Sequence, residues 1–238
     1  MEKVRFEQLG QISTATLTTC LFKRGLRNQF LQNVQAVKDY GKPMVGRAVT
    51  LRYIPAREDL NPISVFKDPD HPQRVAIEQC GPGDVLVIDS RKDARAASAG
   101  SILVTRLLRR GAAGIVTDGG FRDSREIANS GFPAFHQRPS APTNLTLHQA
   151  IAINEPIGCG DVAVFPGDYI VGDADGVVVI PAAEIDAVIQ EGLEMTLFET
   201  FVTEQVDQGA SIKGLYPPTD PDHVAAFSRW KQNLPSES

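Results

Sequence analysis

The chain has no continuous apolar run approaching the about 18–20 residues of a membrane-spanning helix, so no membrane span is expected. It also lacks an excess of positive charge. Against 24 Lys and Arg stand 29 Asp and Glu, a net charge of −5, which argues against broad, non-specific nucleic-acid binding and makes direct contact with nucleic acid unexpected. Cysteine is scarce. Cys20, Cys80 and Cys159 are an odd, widely spaced set with no pair at CxxC distance, which excludes a zinc ribbon or a redox pair. Three thiols, with an opening Met1-Glu2-Lys3-Val4-Arg5 that carries no apolar secretory run, lead to an expected cytoplasmic location. Neither a GxGxxG nor a P-loop text occurs, so a nucleotide-phosphate cradle is not indicated.

What is present suits a folded α/β protein. Apolar residues make up 42% of 238 and charged residues 22%, enough for a real core and too apolar for global disorder. Ser13-Thr14-Ala15-Thr16 opens an expected helix closed by Gly25. Gly46–Tyr53 alternates and is β-branched, a strand; residues 54–72 have no period and read as a loop; His71–Gln79 suits a short helix. Asp84–Asp89 and Gly114–Thr117 are short buried-strand runs, and Gly100–Arg110 between them is a helix with Leu103, Leu107 and Leu108 on one face. Phe132–His136 is a strand, 157–181 is all strand and turn, and 182–208 is a long helix with apolar residues at three- and four-residue steps. Strands do not alternate regularly with helices, so a layered α/β arrangement is expected rather than a plain doubly wound sheet.

Chemistry concentrates between Ala99 and Asp123. The helix led by Gly100 offers the N–H groups of Ser101, Ile102 and Leu103 and the positive end of its dipole, a ready carboxylate site. Arg122 follows a short strand, where α/β sites lie, and its planar fork suits a carboxylate or enolate oxygen. Asp123 is a hard oxygen ligand suited to Mg²⁺ or Mn²⁺. Asp123-Ser124-Arg125-Glu126 equally spells a capping box, with Asp123 as the N-cap of the next helix.

Thr117-Asp118-Gly119-Gly120-Phe121-Arg122-Asp123 resembles the V-x-D-G-x-x-R-D motif of the RraA-like proteins and 4-hydroxy-4-methyl-2-oxoglutarate aldolases. Similar segments follow in order at Ser13–Thr16 with Gly25, Val45–Thr50, Gly83–Asp89, Phe132–Phe135 and Pro166–Pro181, so the resemblance covers roughly residues 10 to 185. It implies a compact, layered α/β/β, swivelling-domain-like single domain, residues 1–182, that forms homotrimers or hexamers, with residues 183–238 as a helical extension contacting a neighbouring subunit. It implies a lyase working on a small 2-oxo acid through a pyruvate enolate: retro-aldol cleavage of a 4-hydroxy-2-oxo acid, oxaloacetate decarboxylation, or both. A divalent metal, Mg²⁺ or Mn²⁺, would be held by Asp123, with Arg122 on the pyruvate moiety and the amides from Gly100 to Leu103 on the carboxylate. Glu199, from a neighbour's C-terminal helix, would complete the site, with Glu194 and Glu204 as rivals. One departure bears on the chemistry: the family's acidic residue after the glycine is Ser101 here, and Thr19 stands where Asp is frequent. Asp93, Asp89 or His136 would then supply the proton-transfer group, Asp93 first among them. The same resemblance admits a non-catalytic regulator of ribonuclease activity and a dehydratase of a sugar-derived 2-oxo acid.

Overall fold

The computed structural model describes residues 1–234. Among them helix α1 spans Glu2–Leu9, α2 Thr14–Lys23, α3 Pro72–Gln79, α4 Ser101–Arg110, α5 Ser124–Ser130, α6 Ile185–Asp207 and α7 Pro221–Gln232. The principal strands are β1 (Met44–Pro55), β2 (Asp84–Asp89), β3 (Gly114–Thr117), β4 (Ala134–His136), β5 (His148–Ile153), β6 (Tyr169–Gly172) and β7 (Val177–Ile180). This is the mixed α/β layered architecture expected, with a long helix near the C-terminus. The chain beyond Leu234, the end of the expected 183–238 extension, lies outside the described residues.

The alternating strand β1 organises the sheet. Along one edge it pairs in parallel with β2, Arg47 opposite Asp84 through Arg52 opposite Asp89. Its other edge is shared: β6 runs antiparallel to its first part and β5 to its last, with an irregularity between Arg52 and Tyr53. Beyond β2 the order continues in parallel through β3 and β4. The short parallel strands are buried on both faces, which is why they read as continuous apolar runs.

Two apolar layers cover the sheet. On one side α3, α4 and α5 bury Ile77, Val104, Leu107 and Ile127 against Leu86, Ile88 and Ile115. Here the expected face of α4 is corrected in part: Val104 and Leu107 are buried and Leu103 packs against the same cluster, while Leu108, at the edge of the expected stripe, is exposed. On the other side a hairpin at Ile157–Val164 covers Val85, Val87 and Val116. A third apolar cluster packs α1, α2 and the N-terminal half of α6 against β6 and β7. The end of α6 meets α7 in a separate cluster around Phe201, Phe227 and Trp230.

The feature that makes a site is a second, three-stranded parallel sheet, Ala97–Ala99 beside Gly120–Phe121 beside Arg138–Pro139. Each of these short strands is reached from the C-terminal end of a main-sheet strand. Ala99 is paired with Phe121, and the Arg122 N–H donates to the Ala99 carbonyl at 3.1 Å. The residues immediately following, Gly100 and Arg122, are therefore neighbours by register. A helix tip and a strand-end arginine more than twenty residues apart in sequence meet because two parallel strands end side by side.

Candidate active site

Gly100, Ile102, Leu103, Arg122 and Asp123 line one cleft of about 270 Å³ at the carboxyl ends of the parallel strands. Asp123 departs from its expected role as a cap. It occupies the N-cap position of α5, but its backbone is left-handed (φ 56°, ψ 38°) and its side chain makes no cap to its own helix. The carboxylate turns the other way, and its Oδ2 accepts from the Ser101 N–H and the Ser101 hydroxyl, each at 3.2 Å. It thus caps the neighbouring helix α4, whose own N-cap, Gly100, has no side chain to do so. The left-handed backbone, tolerated by aspartate better than by most residues, is what aims the carboxylate across the cleft.

The Ser101 amide is therefore already engaged, and a substrate carboxylate at this helix tip would meet the Ile102 and Leu103 amides, to which no carbonyl is bonded. Arg122 keeps its guanidinium about half exposed, with Nε 3.6 Å from Asp123 Oδ1. Such a pair is too long and wet to consume the arginine's donors. Gly100 is indispensable to the closeness of the set: a Cβ there would sit 2.8 Å from Arg122 Cγ and 2.8 Å from Asp123 Oδ2.

The other proposed participants are not in this cleft. Asp93 lies in the loop after β2, where Arg95 grips its carboxylate through Nη2 at 2.6 Å and Nε at 2.9 Å; that guanidinium holds its pKa down at about 2, well below the usual carboxylate range. Asp89 accepts from the Arg91 N–H, and burial raises its pKa. His136 is buried, stacked on Phe121 at 5.4 Å, with Nδ1 unpartnered, and burial pushes it down to about 4. Glu199 accepts from the Thr16 hydroxyl at 2.9 Å in a groove between α2 and α6, so within one chain it does not reach the Arg122 cleft.

Below the cleft the Asp-Gly-Gly turn is held by buried polar contacts. Asp118 accepts from the N–H groups of Ser90 (2.7 Å), Lys92 (3.1 Å) and Gly160 (3.2 Å), tying three loops together. Above it the hydroxyls of Ser90, Ser98 and Thr117 form a closed triangle of 2.6, 2.8 and 3.0 Å, against which Gly119 leaves no room for a Cβ. Sequence reading passed over this scaffold because its signal is dispersed among single Ser and Thr residues.

Two buried groups here predict a pH signature of opposite signs. Burial is the largest cause that pushes Asp118 up to about 6, outweighing its backbone donors. The fold thus binds a proton that the unfolded chain releases near pH 4, so this group's contribution to stability falls as pH rises from about 4 to 6. His136, held neutral by burial, titrates near 4 folded and about 6.5 unfolded, so its contribution rises over nearly the same window. The two slopes offset in the wild type. Asp118→Asn leaves the histidine slope alone, and urea unfolding should then show stability climbing by about 3 kcal/mol from pH 4 to 6.5 relative to the wild-type profile. Parallel profiles would contradict the assignment.

Sequence reading also missed the far wall of the cleft. Phe66, Gln73, Arg74, Thr143 and Asn144 come from the aperiodic loop after β1, from α3 and from the loop before β5. No local pattern marks them, because only the tertiary fold brings these loops to Arg122.

A family model described as RraA-like, Aldolase/RraA, matches residues 14–179. Among curated proteins, the "Putative 4-hydroxy-4-methyl-2-oxoglutarate aldolase" of Halalkalibacterium halodurans is 40% identical over 116 residues, 49% of this chain and 55% of that protein. A protein of the same name from Burkholderia mallei is 37% identical over 110 residues, 44% of this chain and 64% of its own length. The matched stretch thus spans about half to two-thirds of these relatives. Among solved structures, Streptomyces coelicolor RraAS2, described as an unusual member of the RNase ES inhibitor RraA protein family, is 29% identical with a TM-score of 0.73, covering 83% of this chain and 94% of its own. An uncharacterized protein from Pseudomonas syringae shares the fold, with a TM-score of 0.77 at 22% identity over 90% of this chain and 97% of its own.

Proposed function

This chain belongs to the RraA-like family, and from that premise we propose that it is a divalent-metal-dependent carbon–carbon lyase acting on a small 2-oxo acid. One observation carries the reading: a strand-end guanidinium, its adjoining carboxylate and a glycine-led helix tip line a single cleft. A protein acting only through its surface has no need of a glycine where a Cβ would meet Arg122 Cγ and Asp123 Oδ2 at 2.8 Å, or of a left-handed Asp123.

The substrate's carboxylate would lie on the Ile102 and Leu103 amides at the positive end of α4. Arg122 would hold the C2 oxygen, where negative charge develops. In oxaloacetate the C3–C4 bond breaks, its electron pair moves to give the C2–C3 enolate, and carbon dioxide leaves. In a 4-hydroxy-2-oxo acid the hydroxyl gives up its proton, the same bond breaks, and C4 leaves as a carbonyl. Protonation of the enolate at C3 completes pyruvate in both cases. Ser101 holds Asp123 in place and carries no carboxylate, so no acid beyond Asp123 lines the cleft of one chain to accept the hydroxyl proton. Decarboxylation needs no such acceptor and is the easier activity for this site.

The residues fit a hydrated metal better than a caged one. Among the described residues no group of three or more His, Cys, Asp or Glu side chains converges, and Asp123 is the single carboxylate at the cleft. That donor set suits Mg²⁺ or Mn²⁺ held by one carboxylate, with waters and substrate oxygens completing the shell. When bound, the cation would supply Lewis acidity toward the keto acid. Glu199 would enter only from a second copy of the chain, so the reading includes a homo-oligomer.

The similarity to RraAS2 supports a second reading, a non-catalytic regulator of a ribonuclease. A panel of oxaloacetate and 4-hydroxy-2-oxo acids assayed with Mg²⁺ or Mn²⁺ separates the two. Pyruvate release, abolished by EDTA and restored by the cation, is the expected result. No release from any member, together with ribonuclease binding, would replace the lyase by the regulator.

A further inference from the structure

A second cavity, of about 290 Å³, lies at the opposite end of β1, where the chain enters that strand and β6 ends at Gly172. It shares no lining residue with the Arg122 cleft. Gln35 and Ala36 pair with β4, so residues 37–43 must cross from that edge to the start of β1. The crossing is tied to one residue of β4. The Val37 N–H donates to the Ala134 carbonyl at 2.9 Å, and the Ala134 N–H donates to the Tyr40 hydroxyl at 3.1 Å. Tyr40 is thereby held beside Phe135, ring centroids 6.3 Å apart and tilted by 40°. Both rings line the cavity, and the open angle between them leaves their apolar carbon available to it. Gly172 completes the floor: a Cβ there would meet Phe135 Cζ at 2.8 Å and Met44 Cε at 3.1 Å, so a side chain would displace the ring.

The polar groups on this cavity are donors with nothing to donate to. The Tyr40 oxygen accepts from Ala134, and its own proton has no acceptor among the described residues. The Lys38 ammonium lies over the Tyr40 ring, 5.5 Å from its centroid, and neither Lys38 nor Lys42 makes a side-chain ion pair or hydrogen bond among the described residues. Other lysines do find acids: Lys23 pairs with Glu191, Lys92 with Asp161 and Lys231 with Glu194. The two carboxylates on the rim are committed elsewhere. Asp39 accepts from the Gly41 N–H at 2.8 Å and closes its own turn. Asp173 accepts from the Thr14 N–H (2.8 Å), the Thr14 hydroxyl (2.7 Å) and the Asp175 N–H (3.0 Å). A ligand here meets a flat apolar bed, one phenolic proton and two free ammoniums, the mix of apolar lining and few polar groups that marks a small-molecule site.

We infer that this cavity is a second binding site, separate from the Arg122 cleft, for a small aromatic carboxylate. The ligand's ring lies against Tyr40 and Phe135, and its carboxylate accepts from the Tyr40 hydroxyl and from Lys38 or Lys42. Bonds from an ammonium to a carboxylate are among the strong ones, and ring contacts add to the burial of the flat body. The volume is at the small end for ligand cavities and fits one six-membered ring with its carboxylate rather than a nucleotide. An inorganic anion would leave the apolar bed unused, and a neutral ring would leave the lysines unused. The inference goes beyond the lyase reading and does not depend on it.

Benzoate is the probe, titrated calorimetrically into the full chain. The wild type should bind it with a Kd of about 1 mM or tighter, and benzamide and acetate at least about tenfold more weakly. Lys38→Gln combined with Lys42→Gln, both at exposed positions, should weaken benzoate about tenfold, to the benzamide level. Arg122→Ala should leave benzoate binding unchanged. In amide NMR spectra benzoate should shift the signals of Gly41 and Gly172 and leave those of Ile102 and Leu103 in place. Benzamide or acetate binding as tightly as benzoate, an affinity untouched in the double variant, or binding lost in Arg122→Ala would each overturn the site. So would the absence of heat and of shifts up to about 10 mM benzoate. Benzoate carries no 2-oxo group, so none of these outcomes touches the lyase reading, which stands or falls on turnover.

Discussion

Arg122→Ala is expected to lower kcat/KM for oxaloacetate decarboxylation by about a hundred- to a thousandfold, the usual loss when one preorganised donor is taken from a developing oxyanion. The melting temperature should barely move. The side chain is about half exposed and its one ion pair, to Asp123, is 3.6 Å long, so its removal sacrifices well under about 1 kcal/mol of stability. Asp123 needs a gentler substitution. Its backbone sits at φ 56°, where alanine costs more than an Asx residue, so Asp123→Ala mixes strain with chemistry. Asp123→Asn keeps the left-handed turn and a side-chain oxygen for the Ser101 donors, and removes the charge. Its expected signature is a raised Mg²⁺ requirement with lost turnover, read by titrating the cation at fixed substrate. Wild-type-like turnover in both variants would sink the assignment of the cleft.

How far this site was legible in the sequence depends on what kind of signal each part leaves. Arg122, Asp123 and Gly100 stand in a compact text and could be read there, because two consecutive strand–helix units carry them. The role of Asp123 was less legible. The spacing to Glu126 spells a capping box, and only the left-handed backbone shows that the carboxylate caps α4 instead. Asn144 left no trace because it enters from a loop without period, and Arg74, although on the expected helix α3, because nothing local shows that it faces the cleft. The fold shows a similar division. The long apolar periodicity of α6 and the β-branched runs of β1, β2 and β3 were plain. The polar α1, with Leu9 its one fully buried residue, and α7, with none, had no stripe to read. Pro82-Gly83-Asp84 and Pro166-Gly167-Asp168 both place glycine at φ 84°, and both aspartates accept from the N–H three residues earlier, Gly81 and Phe165. These matched turns start the two strands that flank Arg47 on either edge of β1.

Gly100→Ala is expected to disable the site as thoroughly as removing Arg122, although alanine brings no new chemistry. The backbone there is extended, at φ −135°, so the added methyl carries no conformational penalty and the whole effect is steric. The methyl would lie 2.8 Å from Arg122 Cγ, 3.2 Å from Arg122 Cδ and 2.8 Å from Asp123 Oδ2. The carboxylate can swing away, but Cγ is near the root of its side chain, so the arginine's stem or its backbone must shift. A displacement of about 1 Å in a positioning group is enough for a hundredfold loss of rate. Stability should fall by about 1–2 kcal/mol, from overpacking and from a poorer N-cap for α4. Gly131→Ala provides the contrast. Gly131 is left-handed at φ 71° with nothing within 4 Å, so alanine there meets strain without collision. It should destabilise by about 1–2 kcal/mol and keep wild-type turnover. Equal turnover in the two alanine variants would mean that the crowding of Arg122 and Asp123 around Gly100 has no catalytic purpose.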